Sequence, residues 1–147
     1  MKTINDNAKY EVWLNAEVMH NASREWLSEL NFVNDEQLFF DDLVVSYTLQ
    51  LIDSKHYKDS KELIDRLSAL QLETKTLIGA VKKHEKELEV MVDGIDQPEE
   101  EVRYKEAHRA LILEMGDFMK RYKTLKKSLF ALIKNIIKEG KQKRLLQ

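Results

Sequence analysis

His84 and His108 are the two residues of this sequence best suited to hold a metal ion. Each stands in an apolar stripe, His84 between Val81 and Leu88, and His108 between Tyr104 and Leu111. A neutral imidazole offers a nitrogen lone pair to Zn²⁺ or Fe²⁺, and helical bundles build metal centres from such side chains on facing helices. Glu36 is the carboxylate expected to join them, because it continues the face formed by Phe40, Leu43 and Tyr47. The plainer arrangement has the two imidazoles hydrogen-bonded to each other, to Tyr104 or to water. As polar members of an apolar seam they then fix the register of their helices.

A second pattern, Glu17-x-x-His20 with Asp53-x-x-His56, has the carboxylate–histidine spacing of di-iron bundles. Such a centre also needs inward carboxylates on two further helices. At the matching level those helices offer Leu63, Leu67, Leu125 and Leu129, so no di-iron centre is expected. His20 reads instead as a boundary residue between Trp13 and Leu27. There is no glycine-rich phosphate loop, no H-E-x-x-H and no G-x-S-x-G, so an enzyme is not the favoured reading. Trp13, Trp26, Phe39, Phe40 and Tyr47, set against small Ala16 and Ser23, read as packing rather than as the lining of a ligand pocket.

The elements that must position these residues are helices. One Pro and four Gly in 147 residues favour long uninterrupted helices over strands joined by turns. The length suits a single domain. Cysteine is absent, which excludes disulfides and thiolate metal sites and fits a cytoplasmic location. Residues 1–6 hold no apolar core of a signal peptide. The most apolar stretch, 38–52, contains Asp41 and Asp42 and is too short and too charged to span a bilayer.

Apolar periodicity predicts four helices. The first spans about 6–31, with Val12, Ala16, Met19, Ser23, Trp26 and Leu30 on one stripe. A turn at 31–34 follows. The second spans 35–55, with Asn34 as N-cap and Gln37 at the capping-box position. Phe40, Leu43, Val44, Tyr47 and Leu51 form one of its faces. Leu38, Val45, Leu49 and Ile52 form another, the pattern of a helix covered on most sides. A strand over 43–52 is the alternative, but it has no second strand to pair with. The third helix spans 60–92 with the stripe Leu63, Leu67, Leu70, Thr74, Leu77, Val81, His84, Leu88 and Met91, and stops at Asp93-Gly94. The fourth spans 97–139, opening with Pro98 and three glutamates. Its stripe is Tyr104, His108, Leu111, Met115, Phe118, Tyr122, Leu125, Leu129, Leu132 and Ile136. Residues 140–147 read as a basic frayed tail.

Together these predict an all-α fold: an up-down-up-down antiparallel four-helix bundle over 1–147, with coiled-coil-like heptads in its longer third and fourth helices. With turns near residues 33, 58 and 95, His84 and His108 fall opposite each other, level with the first turn. Residues 85–105 then project past that turn by about 12 Å, at roughly 1.5 Å per residue. Leu88, Met91 and Tyr104 on that tip would be bare, and bare apolar patches mark interfaces. A homodimer is therefore expected.

Charge is placed unevenly. Residues 120–147 hold ten basic residues and one acid, Glu139, while the rest of the chain carries an excess of eleven negative charges. Lys120, Arg121, Lys123, Lys126, Lys127 and Lys134 form the expected basic surface. An anionic membrane surface or an acidic protein partner suits it. The plainer reading is a solvated face paired with Asp59, Glu62, Asp65 and Glu73. With an overall charge of −2, no nucleic acid is expected. The sequence as a whole reads as a non-enzymatic, cytoplasmic interaction protein that self-associates and binds an unknown protein partner. A metal-binding bundle and a membrane-surface protein are the alternatives.

Overall fold

The computed structural model describes residues 15–92 and 98–146. It is all-α: α1 is Ala16–Ser46, α2 Thr48–Leu51, α3 Tyr57–Val92 and α4 Pro98–Leu146. There is no strand among the described residues. The expected helical start at 6–14 with Val12 and Trp13, the Asp93-Gly94 stop and the Met91 side chain lie outside the described residues.

The largest departure from the sequence reading is in α1. The expected turn at 31–34 does not form, and the helix runs through it for 31 residues. The segment Asn31-Phe32-Val33-Asn34 holds neither Gly nor Pro. The buried stripe also keeps its phase across it. Met19, Ser23, Leu30, Val33, Gln37 and Phe40 are buried, with Trp26 half-buried among them. Burying one large apolar side chain stabilises by about 1.5–3 kcal/mol, whereas an N-cap is worth ~1 kcal/mol. Continuity of the stripe therefore wins over the capping signals of Asn34 and Gln37. The N-cap is Asn15, whose Oδ1 accepts the Val18 N–H at 2.8 Å. Gln37 lies inside the helix and donates its amide N–H to Thr74 Oγ1 at 3.0 Å.

The break between α1 and α2 is slight. The Tyr47 N–H donates to the Leu43 carbonyl at 3.0 Å, that of Leu51 to Tyr47 at 2.9 Å, and that of Ile52 to Thr48 at 3.0 Å. The i→i−4 ladder thus carries through the join. The Thr48 hydroxyl, which donates to the Val44 and Val45 carbonyls at 2.9 Å, competes with that ladder at this point. The segment 43–51 is helical apart from Tyr47, and no part of 43–52 is a strand. The four long helices expected become three, of 31, 36 and 49 residues, and one of four.

Helices α3 and α4 follow their expected stripes closely. From Leu63 to Leu88 every expected member of the α3 stripe is buried. In α4, His108, Leu111, Met115, Phe118, Tyr122, Leu125, Leu129 and Ile136 are buried. Tyr104 and Leu132 are half-buried, and Ile133 joins the core beside Leu132. The helix does not end at Gly140 but continues to Leu146. Lys, Gln, Arg and Leu are strong helix formers, and the basic residues there suit the negative helix end.

Contacts divide the chain into two compact units. The first consists of Met1–Phe32 and Lys75–Gly116, the second of Val33–Thr74 and Asp117–Gln147. In the first, Met19 packs on Leu88 with Tyr104 beside them. The tip expected to be bare is therefore covered. Leu88 is fully buried, because α1 does not turn back at 31–34 and its first half supplies Met19. In the second, Leu51, Ile133 and Ile136 pack with Val44, Tyr47 and Leu132, and Phe40 meets Phe130 edge-on at 5.4 Å between ring centroids. No helix among the described residues is long and apolar enough to cross a membrane.

Candidate functional site

The first unit contains three of the four histidines. His84 and His108 meet as their stripes predict, with His84 Nε2 3.0 Å from His108 Nδ1. The ring centroids are 5.2 Å apart and the planes are 28° from parallel. That centroid distance is close to one N–H···N bond plus two ring radii, so the rings meet edge to edge and share a proton in plane. The other face of His108 stacks on Trp26 at 4.8 Å and 24°. Both imidazoles are buried. Burial holds His108 well below the usual histidine range, at about 4, and the neighbouring His84 pushes the same way. Burial also lowers His84, with Glu87 opposing. Both are therefore neutral near pH 7. His84 Nδ1 is buried without a hydrogen-bond partner, and this holds for either tautomer of the pair. A shared proton between hydrogen-bonded imidazoles is the plainer of the two arrangements expected for these residues.

Glu36 is not with them. It belongs to the second unit, where its Oε1 accepts the Tyr122 hydroxyl at 2.9 Å. Lys126 Nζ donates to its two oxygens at 3.1 and 3.2 Å. The Lys126 ammonium also lies 5.1 Å from the centre of the Tyr122 ring, within cation–π range. Burial and the Glu36 carboxylate raise the Tyr122 pKa, so the phenol stays a donor. Phe40, one turn on from Glu36, meets α4 one turn further along, at Phe130.

A second histidine cluster, not anticipated from the sequence, lies in the first unit. His20 on α1 stands beside Glu85 and Glu89 on α3, with one donor atom from each within 4.8 Å of the others. His20 Nδ1 is buried without a hydrogen-bond partner. His20 is a half-buried boundary residue, as expected, but its neighbours are acids. Glu17, the carboxylate of the Glu17-x-x-His20 pattern, is exposed. His56 lies in the second unit, where its Nε2 is 2.9 Å from Glu139 Oε2. Lys55 donates to the other oxygen of Glu139 at 2.8 Å. Those two contacts lower Glu139 to about 2.

The basic surface divides in two. Arg121 gives Glu73 two hydrogen bonds, at 2.7 and 2.5 Å, and gives Asp117 one at 2.9 Å. Lys126 is committed to Glu36. Lys120, Lys123, Lys127 and Lys134 are exposed. Of the four acids expected to pair with this surface, Glu73 does so through Arg121.

The helical face expected to be covered is open. Leu38, Val45, Leu49 and Ile52 are 58%, 74%, 79% and 59% exposed. With Asp42 they form an unbroken 4-3 stripe on the side of α1 and α2 opposite the buried stripe of Val33, Gln37, Phe40 and Leu51. The face is apolar as its pattern predicts, but among the described residues nothing covers it. No family model, curated protein or solved structure matches this chain.

Proposed function

We propose that this chain is a non-enzymatic interaction protein that self-associates through the open stripe Leu38, Val45, Leu49 and Ile52. The exposure of those four side chains carries the reading. A helix apolar on two opposite faces needs cover on both, and one of the two here has none from the described residues. A second copy of the chain is the favoured occupant. A straight apolar stripe is self-complementary about a two-fold axis. Asp42 within the stripe and Asp35, Asp41 and Asp53 near it are exposed charges that such a two-fold pairing leaves in solvent. Contacts within the second unit fit an up-and-down pairing of α1 with α3. Gln37 meets Thr74 and Asp41 meets Gln71, so residue numbers rise on one helix as they fall on the other.

The four exposed side chains of each copy, eight across the dimer, have on the order of 12 kcal/mol of further burial to gain. Association itself costs about 4–15 kcal/mol. The dimer is therefore weak and concentration-dependent, with a Kd in the micromolar range or above. Sedimentation equilibrium tests it. The wild-type mass should rise with concentration from 17.4 kDa toward twice that value. Leu49→Glu should hold it at the monomer with helix content unchanged. Leu113→Glu, at a residue 75% exposed in the first unit, should leave association intact. A dimer indifferent to Leu49→Glu would overturn the interface. A wild-type monomer at every concentration would overturn self-association and leave an acidic-face or basic-face protein partner, in a reducing cytoplasm, as the reading to pursue.

A further inference from the structure

We propose that His20, Glu85 and Glu89 form a binding site for one first-row divalent transition-metal ion, with Zn²⁺ as the ion that fits most simply. The site lies wholly in the first unit and stands or falls independently of self-association, which concerns the second. The donor set is one imidazole nitrogen and two carboxylate oxygens on two helices. One donor from each lies within 4.8 Å of the others. Three ligands bound at about 2.0–2.2 Å to a single ion lie on the order of 3–4 Å apart, so small rotations of the two glutamate side chains close the set.

Three further features favour an ion over chance proximity. His20 Nδ1 is buried and has no hydrogen-bond partner. A buried imidazole nitrogen left unpaired costs free energy, so this ring lacks the hydrogen bonds that would tie it up elsewhere. Glu85 and Glu89 stand four residues apart on one helix, where like charges repel each other. A cation between them turns that repulsion into attraction. Their graded exposure, with His20 and Glu85 half-buried and Glu89 at the surface, gives an entry path from solvent.

The ligand types select the ion. A nitrogen donor disfavours Mg²⁺ and Ca²⁺, which prefer oxygen throughout, and the lack of thiolates disfavours softer ions. Two carboxylates neutralise a divalent charge. Three protein ligands leave at least one coordination position for water or a donor from elsewhere. The hydrogen-bonded pair His84 and His108 is not part of the set, since each nitrogen facing the other is already engaged.

Zn²⁺ alone, titrated into the full-length chain by isothermal calorimetry, tests the site. One ion per chain should bind, and thermal unfolding should shift upward with added Zn²⁺. Glu89→Gln removes a surface ligand without touching the core. It should weaken binding at least tenfold and abolish the thermal shift while circular dichroism stays unchanged. His20→Ala should do the same. His56→Ala, in the second unit, should leave the affinity as in wild type. Absence of Zn²⁺ uptake, or uptake that survives Glu89→Gln and His20→Ala, would overturn the assignment.

Discussion

In the first unit the buried titratable side chains are imidazoles held neutral, His84 against His108 with Trp26 stacked alongside. In the second unit, inward polar groups meet charged or hydroxyl partners across helices, while Gln37 Oε1 and Ser60 Oγ are buried without one. Tyr122 and Lys126 share Glu36, Thr74 meets Gln37, and His56 and Lys55 share Glu139. Both units tolerate buried polar atoms without partners, the ring nitrogens of His20 and His84 in the first and Gln37 Oε1 and Ser60 Oγ in the second. The second relies on cross-helix polar contacts and leaves one apolar face uncovered. The same 4-3 periodicity underlies both. The difference lies in which residues interrupt it: histidines in the first, and in the second Gln37, Tyr122 and the acids and lysines around them.

The largest expected difference between the units comes from their apolar interiors. Leu88→Ala removes a fully buried side chain that packs on Met19, and should destabilise by about 2–5 kcal/mol in urea or guanidinium unfolding. A loss under 1 kcal/mol would mean that this packing is not formed in solution.

Acid should next separate the units by pH window. His108 binds its proton at about 4 when folded, against about 6.5 in an unfolded chain. As pH falls below 6.5, the unfolded state takes up a proton that the folded state refuses. Stability should therefore decline from pH 6.5 to about 4, by roughly 3 kcal/mol for this group, and then level off with respect to it. Glu139 acts lower on the scale. Its folded value near 2 means that its contribution is present above the ordinary carboxylate range and fades between about pH 4.5 and 2. Histidine NMR titration checks the first window. A His108 resonance titrating near 6.5 would contradict the buried, neutral pair.

Glu36→Ala should follow in size. It leaves the buried Tyr122 hydroxyl without its acceptor and Lys126 without its partner, at about 1–3 kcal/mol. Glu36→Gln keeps an acceptor for Tyr122 and should cost less. The smallest effect is expected at Arg121→Ala. Its pairs with Glu73 and Asp117 are largely exposed, and such pairs are worth ~1 kcal/mol or less. The loss should shrink further in high salt.

Much of this architecture is legible in the sequence. The stripes of α3 and α4 are readable because Leu, Val, Phe and Met recur in 4-3 steps over about eight and nine turns with no breaker. The meeting of His84 and His108 depends only on where α3 ends and α4 begins, and both ends carry clear signals. The turn at 31–34 was misread because Asn34 and Gln37 look like a capping box, while the signal that overrides them, the unbroken phase from Leu30 to Val33 to Gln37, includes a buried glutamine. That one error carried two others with it. It left Leu88 and Tyr104 without Met19, and so suggested a bare tip. It also placed His20 at the wrong level, far from Glu85 and Glu89. A single helix through residue 33, folding back near residue 54, sets residue 20 opposite about residue 88 and brings the three donors together. Exposure of the Leu38 stripe could not be read at all. An apolar face predicts that it will be covered, not by which chain.

The absence of cysteine permits the most direct test of the self-association reading. A single spin label at Gln50→Cys, beside the stripe, reports by dipolar electron paramagnetic resonance on whether two copies bring this face together. The account predicts a defined intermolecular distance that grows in amplitude with protein concentration and vanishes on adding Leu49→Glu. An absence of intermolecular coupling at Gln50 under conditions where sedimentation reports a dimer would contradict it.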